Sequence, residues 1–156
     1  MKTLTIILFT SLFLFSCKQK ESRFSRENWA SYLGDKSVSH YSELYQITKK
    51  NVSRLRQVWV YDGGNTDETD RTQIQCNPLI IDGVLYGTAA TLKLFALDAA
   101  TGKQRWLFDP NKDSVIAKAV NRGIAVWQGE NEQRLFFALG AYLFAIDLYT
   151  GALIPS

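Results

Sequence analysis

The sequence predicts an all-β fold assembled from propeller blades, on three observations. First, Leu94-Phe95-Ala96-Leu97-Asp98-Ala99-Ala100-Thr101-Gly102 returns as Leu143-Phe144-Ala145-Ile146-Asp147-Leu148-Tyr149-Thr150-Gly151. Second, Arg56-Gln57-Val58-Trp59-Val60-Tyr61-Asp62 returns as Lys103-Gln104-Arg105-Trp106-Leu107-Phe108-Asp109. Both spacings are just under 50 residues, room for about four short strands per unit, which is the period of a blade. Third, Leu135 to Ile146 is apolar nearly throughout, as expected of strands covered on both faces. A buried helix is opposed there by Gly140 and by the β-branched and aromatic content. The aromatic share, 13% with 4 Trp, 7 Tyr and 9 Phe, also suits the wide flat surfaces that sheets bury.

The composition excludes several classes. With 156 residues, 46% hydrophobic and 21% charged, and only 10 Gly and 3 Pro, the chain is neither disordered nor collagen-like. The length fits one domain or a piece of a larger one. A net charge of +3, from 18 basic and 15 acidic residues spread evenly, gives no argument for nucleic acid. One His and two Cys cannot build a zinc pattern.

In chain order, Met1-Lys2 is a short positive start, and Leu4 to Phe15 is an apolar run too short to span a bilayer as a helix. The run ends in Leu14-Phe15-Ser16-Cys17, which resembles a bacterial lipobox. Residues 1–16 are then expected to be a lipoprotein signal peptide, with Cys17 the lipid anchor and 17–28 a polar tether. The several acyl chains on such a Cys suffice for stable anchoring. Cys76 is left without a disulfide partner and is expected to be a small packed residue.

Ser25 to Leu33 reads as a short helix capped by Ser25, with Trp29 and Leu33 on one face, and Asn51 reads as the cap of a turn through Leu55. Gln57 to Tyr61 reads as a strand, and the polar stretch Asp62 to Thr72 as a loop. Pro78 to Ile81 and Val84 to Tyr86 flank Asp82-Gly83, a strong hairpin signal. Leu94 to Asp98 and Gln104 to Phe108 flank a second turn ending in Gly102. After a connection over Asn111 to Asn121, three strands follow: Ile124 to Trp127, Leu135 to Ala138 and Tyr142 to Ile146. Residues 29–156 thus hold about two blades and one further strand.

Ala96-Leu97-Asp98-Ala99-Ala100-Thr101-Gly102-Lys103-Gln104-Arg105-Trp106 resembles the tryptophan-docking motif of the quinoprotein dehydrogenases, eight-bladed β-propellers that use pyrroloquinoline quinone (PQQ). Small Ala96 is expected to admit a neighbouring blade's indole, Gly102 to take the positive φ of the turn, and Trp106 to dock onto the next blade. The second copy has Pro155 where the Trp is expected. Three more stretches are similar to the same family. They are Trp29 to Leu55, Gln75-Cys76-Asn77-Pro78 through Gly87, and Asn121-Arg122-Gly123 with the strand after it. Phe108-Asp109-Pro110 and the lack of a Cys-Cys pair, with Ile116 and Ala117 near its place, lean toward the glucose dehydrogenase branch.

The resemblance implies that the chain is the N-terminal portion of a PQQ-dependent dehydrogenase acting on an aldose or alcohol. Electrons would pass to a quinone or cytochrome c. The protein would sit at the periplasmic face of the cell envelope, lipid-anchored to a membrane. PQQ carries three carboxylates, and Arg122 is the candidate fork for one of them, because a guanidinium matches a carboxylate bidentately. Gln75 lies 47 residues earlier, before the equivalent strand, and is the second candidate for the cofactor. The related enzymes often have Glu there; Gln keeps the hydrogen bonds and drops the charge. The family's calcium ligands and the Asp that takes the hydroxyl proton are expected downstream of Ser156, so no metal ligand and no catalytic residue is assigned. His40 is read as a surface residue, the acidic run Asp67, Glu68, Asp70 as a solvated loop, and Asp98 and Asp147 as turn residues. A scaffold reading stands beside this one, since a non-catalytic outer-membrane assembly lipoprotein carries similar repeats. The Gln75 and Arg122 pair separates the two.

Overall fold

Chain direction first reverses in a sheet at Asp82-Gly83, where both residues have positive φ (49° and 75°), the geometry that a two-residue hairpin matched to strand twist requires. The structure, a computed structural model, describes residues 27–35, 37–64, 73–113 and 120–155. The signal segment 1–16, the anchor Cys17, the tether up to residue 26 with the cap Ser25, the run Asp67, Glu68, Asp70, and Ile116 and Ala117 lie outside the described residues.

The first sheet is a four-stranded antiparallel meander: β1 (Leu79–Ile81), β2 (Val84–Thr88), β3 (Leu94–Asp98) and β4 (Gln104–Phe108). The second sheet holds β5 (Ala125–Gln128), β6 (Gln133–Leu139) and β7 (Tyr142–Asp147). Its fourth place is taken up by Leu153, which bridges Ile146, and by Ile154, whose N–H donates to the Ala145 carbonyl at 2.8 Å. The two sheets are successive blades, as the repeat requires.

Register decides which side chains meet. Leu79, Tyr86, Ala96 and Trp106 align across the first sheet, and Val126, Leu135 and Ile146 across the second. These rows belong to one shared core in which Leu79, Leu94, Ala96, Leu135, Ile146 and Leu148 are fully buried. Phe108 joins the sheets, its ring 6.0 Å from that of Phe137 and 5.7 Å from that of Phe144. On the reverse face of the first sheet, Tyr61 covers Phe95 at 4.9 Å between ring centroids. That cover is incomplete: Ile80 and Leu107 are exposed there, as Trp127 and Leu143 are on the second sheet. Burial therefore alternates in β1 and β5; along Leu135 to Ile146 the expected cover on both faces fails at the exposed Ala138, Tyr142 and Leu143, and cover on both faces is found chiefly in β2 and β3.

The docking motif works twice. The Trp106 Nε1 donates to the Leu148 carbonyl at 3.1 Å, and the Trp59 Nε1 to the Ala99 carbonyl at 3.2 Å. Each indole lies flat on the glycine of the next repeat. A Cβ at Gly151 or Gly102 would come within 2.6 Å of the Trp106 or Trp59 ring, and the two glycines have φ +72° and +71°. The expectation for Ala96 changes: it is the direct cross-strand partner of Trp106 in its own sheet. The neighbouring unit's indole, Trp59, sits on Gly102 instead.

Three local expectations are corrected. Within 27–33 there is no helix, because the backbone N–H and C=O of Trp29 are both taken by Ile80 at the free edge of β1 (2.8 and 3.0 Å). Asn51 precedes a 3-10 turn, Val52–Arg54, without capping it. Its amide instead accepts from the Thr48 N–H and donates to the Gln46 carbonyl, closing the preceding turn. Gln57 to Tyr61 has no ladder partner among the described residues. It is held by Trp59 and by the Tyr61 hydroxyl, which donates to Gln104 Oε1 at 2.8 Å, while Val58 and Val60 stay exposed.

Candidate functional site

The segments that lead into β1 and β5 are where the two sheets touch through backbone. Asn77 and Gly123 form a parallel bridge, as first strands of neighbouring blades do near a propeller axis. The Asn77 N–H donates to the Arg122 carbonyl at 3.2 Å, and the Asn77 Nδ2 donates to the same oxygen at 3.1 Å. Two residues before Asn77 stands Gln75. The Arg122 Nε donates to Gln75 Oε1 at 3.2 Å. The two site residues expected from sequence, 47 positions apart, are thus brought into direct contact.

Arg122 is exposed and Gln75 half-buried. Because the guanidinium uses Nε toward Gln75, its two terminal nitrogens are left without a partner among the described residues. Among those residues Arg122 faces no carboxylate. The Gln75 amide has its oxygen turned to Arg122 and, among the described residues, two N–H donors left. Arginine fork and amide donors side by side are a donor set for an oxyanion, and a carboxylate is the planar one that a guanidinium matches. The residues therefore fit one carboxylate edge of a polycarboxylate such as PQQ.

Asn121 supports this corner from below and is 8% exposed. Its Oδ1 accepts from the Gly123 N–H (3.1 Å) and the Thr88 hydroxyl (3.3 Å), and its Nδ2 donates to the Ala138 carbonyl (3.1 Å). One side chain ties the ends of β2 and β6 to the Arg122 segment. Sequence reasoning named neither Asn121 nor Asn77 as part of the site. The available signal was two asparagines on the lead-ins of strands one repeat apart.

The remaining candidates separate cleanly. His40 is exposed, as expected. Asp98 and Asp147 serve their turns: each accepts from the backbone N–H and hydroxyl of the Thr three residues on. The Arg105 hydrogen bond holds the Asp98 carboxyl below its usual range, and the Thr150 hydroxyl does the same for Asp147. Cys76 is a free, half-buried thiol packed against the shared core. Among the described residues, no three His, Cys, Asp or Glu side chains cluster to hold a metal ion.

Comparison with known proteins agrees with this geometry. The family model described as "PQQ: Glucose/ethanol/alcohol dehydrogenase, beta-propeller domain" matches residues 29–156. The dehydrogenase subunit of a quinone-type alcohol dehydrogenase from Gluconobacter oxydans is 40% identical over 134 residues, covering 83% of this chain and 17% of that protein. A 1-butanol dehydrogenase (cytochrome c) from Thauera butanivorans is 36% identical over 129 residues, 79% of this chain and 17% of its own length. Among solved structures, a quinohemoprotein alcohol dehydrogenase of Pseudomonas putida superposes with a TM-score of 0.67 at 33% identity, over 83% of this chain and 18% of that one. The chain thus spans less than a fifth of the length of these relatives. With a family model over most of its length and the docking geometry repeated in its two sheets, the chain belongs to the PQQ-dependent glucose/ethanol/alcohol dehydrogenase β-propeller family.

Proposed function

We propose that this chain forms part of a PQQ-dependent dehydrogenase that oxidises an alcohol and passes the electrons to a quinone or cytochrome c. The observation that carries the reading is the Arg122 and Gln75 contact at the bridged lead-ins, with the arginine's terminal nitrogens turned to no partner among the described residues. Arg122 would hold a PQQ carboxylate, and the Gln75 amide would donate beside it. When bound, PQQ supplies a two-electron acceptor for the hydride released from a carbinol carbon, with calcium as the family's usual Lewis acid at the reacting carbonyl. An alcohol is preferred to an aldose because the relatives reported above are named for alcohols. The scaffold alternative gives no reason for an exposed arginine fork to be held this way.

The test uses the full-length protein, stripped of cofactor and reloaded with PQQ and calcium, with an artificial dye as acceptor. Dye reduction is expected with short primary alcohols, and none without PQQ. Turnover of glucose alone would move the substrate to the aldoses. Tight PQQ binding without turnover of either class, or no PQQ binding at all, would overturn the dehydrogenase reading.

The proposed location is the periplasmic face of the cell envelope, with Cys17 carrying the lipid; the support is the Leu14-Phe15-Ser16-Cys17 sequence after an apolar run. Cys17→Ser should leave the protein unprocessed or free of lipid and shift it in cell fractionation. Unchanged processing and membrane attachment would refute the anchor.

A further inference from the structure

We propose that Asn77 is a positioning residue for the cofactor arginine, clamping the Arg122 carbonyl through its side chain as well as its backbone. The proposal rests on the reading of Arg122 as a PQQ-carboxylate ligand and deepens it.

Arg122 is an exposed, long side chain tied, among the described residues, at one nitrogen by a 3.2 Å bond to Gln75. Such a side chain reaches a ligand in a defined pose only if its backbone is fixed. The fixing comes from both flanks. On one, Asn121 is buried and tied to Thr88, Gly123 and Ala138. On the other, the bridge between the sheets provides the Asn77 N–H, a bond that a backbone of any residue but proline could make. The Asn77 Nδ2 adds a second donor to the same oxygen, at 3.1 Å. A carbonyl with both lone pairs occupied by one residue cannot swing without losing both bonds.

The position of Asn77 matters as much as its bonds. It lies two residues from Gln75 on one lead-in and clamps Arg122 on the other. The clamp therefore sets the distance between the two side chains proposed to share one carboxylate. Asn77 directs an Nδ2 hydrogen at the Arg122 carbonyl, so the action proposed for it on the cofactor runs through Arg122.

The test is a double-mutant cycle read by PQQ titration of the full-length apo-protein in calcium, with melting temperature recorded for each variant. Asn77→Ala is expected to weaken PQQ binding about fivefold in the wild-type background and less than twofold in the Arg122→Ala background. Asn77→Ser keeps a polar side chain too short to reach the carbonyl, and is read in the same way should Asn77→Ala fail to fold. Equal losses in both backgrounds would mean that Asn77 acts on stability or on PQQ directly, and would overturn the positioning role. So would an unchanged affinity for the Asn77 variants while Arg122→Ala binds poorly. If Arg122→Ala binds PQQ as the wild type does, the reading of Arg122 fails, and the positioning role falls with it.

Discussion

Trp106→Ala should destabilise the full-length protein by about 3–5 kcal/mol, the usual cost of removing a large aromatic from a packed interface. Trp106 is only 9% exposed. Its ring meets Tyr86 at 5.8 Å and covers Gly151 of the next repeat, so its loss opens a gap between the two blades. Its Nε1 bond to the Leu148 carbonyl also goes, leaving a backbone acceptor unpaired beside the core. Gly151→Ala attacks the same contact from the other side. The added Cβ would sit 2.6 Å from the indole at a backbone φ of +72°, where a side chain is already unfavourable by about 1–2 kcal/mol. Both effects are measured by chemical denaturation with and without PQQ. A docking role predicts loss in both conditions. A Trp106→Ala protein of unchanged stability would remove the indole from the architecture.

The blade order was legible because it rests on repetition and on turns that few residues can make. Asp82-Gly83 can close a two-residue hairpin, and Thr-Gly can end the docking turn at positive φ; both do. The parts that sequence misplaced depend on contacts made far along the chain. Trp29 has the local look of a helix residue, but Ile80, 51 positions later, takes its backbone bonds. Gln57 to Tyr61 has the composition of a strand, yet composition carries no information about a partner edge, and none lies among the described residues. For Asn51, a cap and a loop closure use the same amide, and the turn from Gln46 to Thr48 competes successfully for it.

For the candidate site, Arg122 and Gln75 stand out in the sequence by their equal places in two repeats, and the structure brings them within hydrogen-bond distance of each other. Asn121 and Asn77 were not, because an asparagine before a strand is an ordinary turn residue until its amide is seen to reach another segment.

The central claim, that the two bridged lead-ins hold one end of a quinone cofactor, has its largest expected effect at Arg122. A charge-assisted hydrogen bond contributes about 1.5–3 kcal/mol, so Arg122→Ala should weaken PQQ binding by roughly ten- to a hundredfold. Arg122→Lys should recover only part of this, since a compact ammonium restores the charge without the paired donors of the fork. Lysine also cannot reproduce the Nε bond to Gln75 in that geometry. Neither substitution should disturb the fold, because the Arg122 side chain is exposed and its carbonyl, which Asn77 holds, is unchanged. The deciding measurement is a PQQ titration of the full-length apo-protein in the presence of calcium, comparing wild type, Arg122→Lys and Arg122→Ala. Affinities falling in that order, with melting temperatures of the apo-proteins alike, are the predicted result; equal affinities in all three folded proteins would contradict the account.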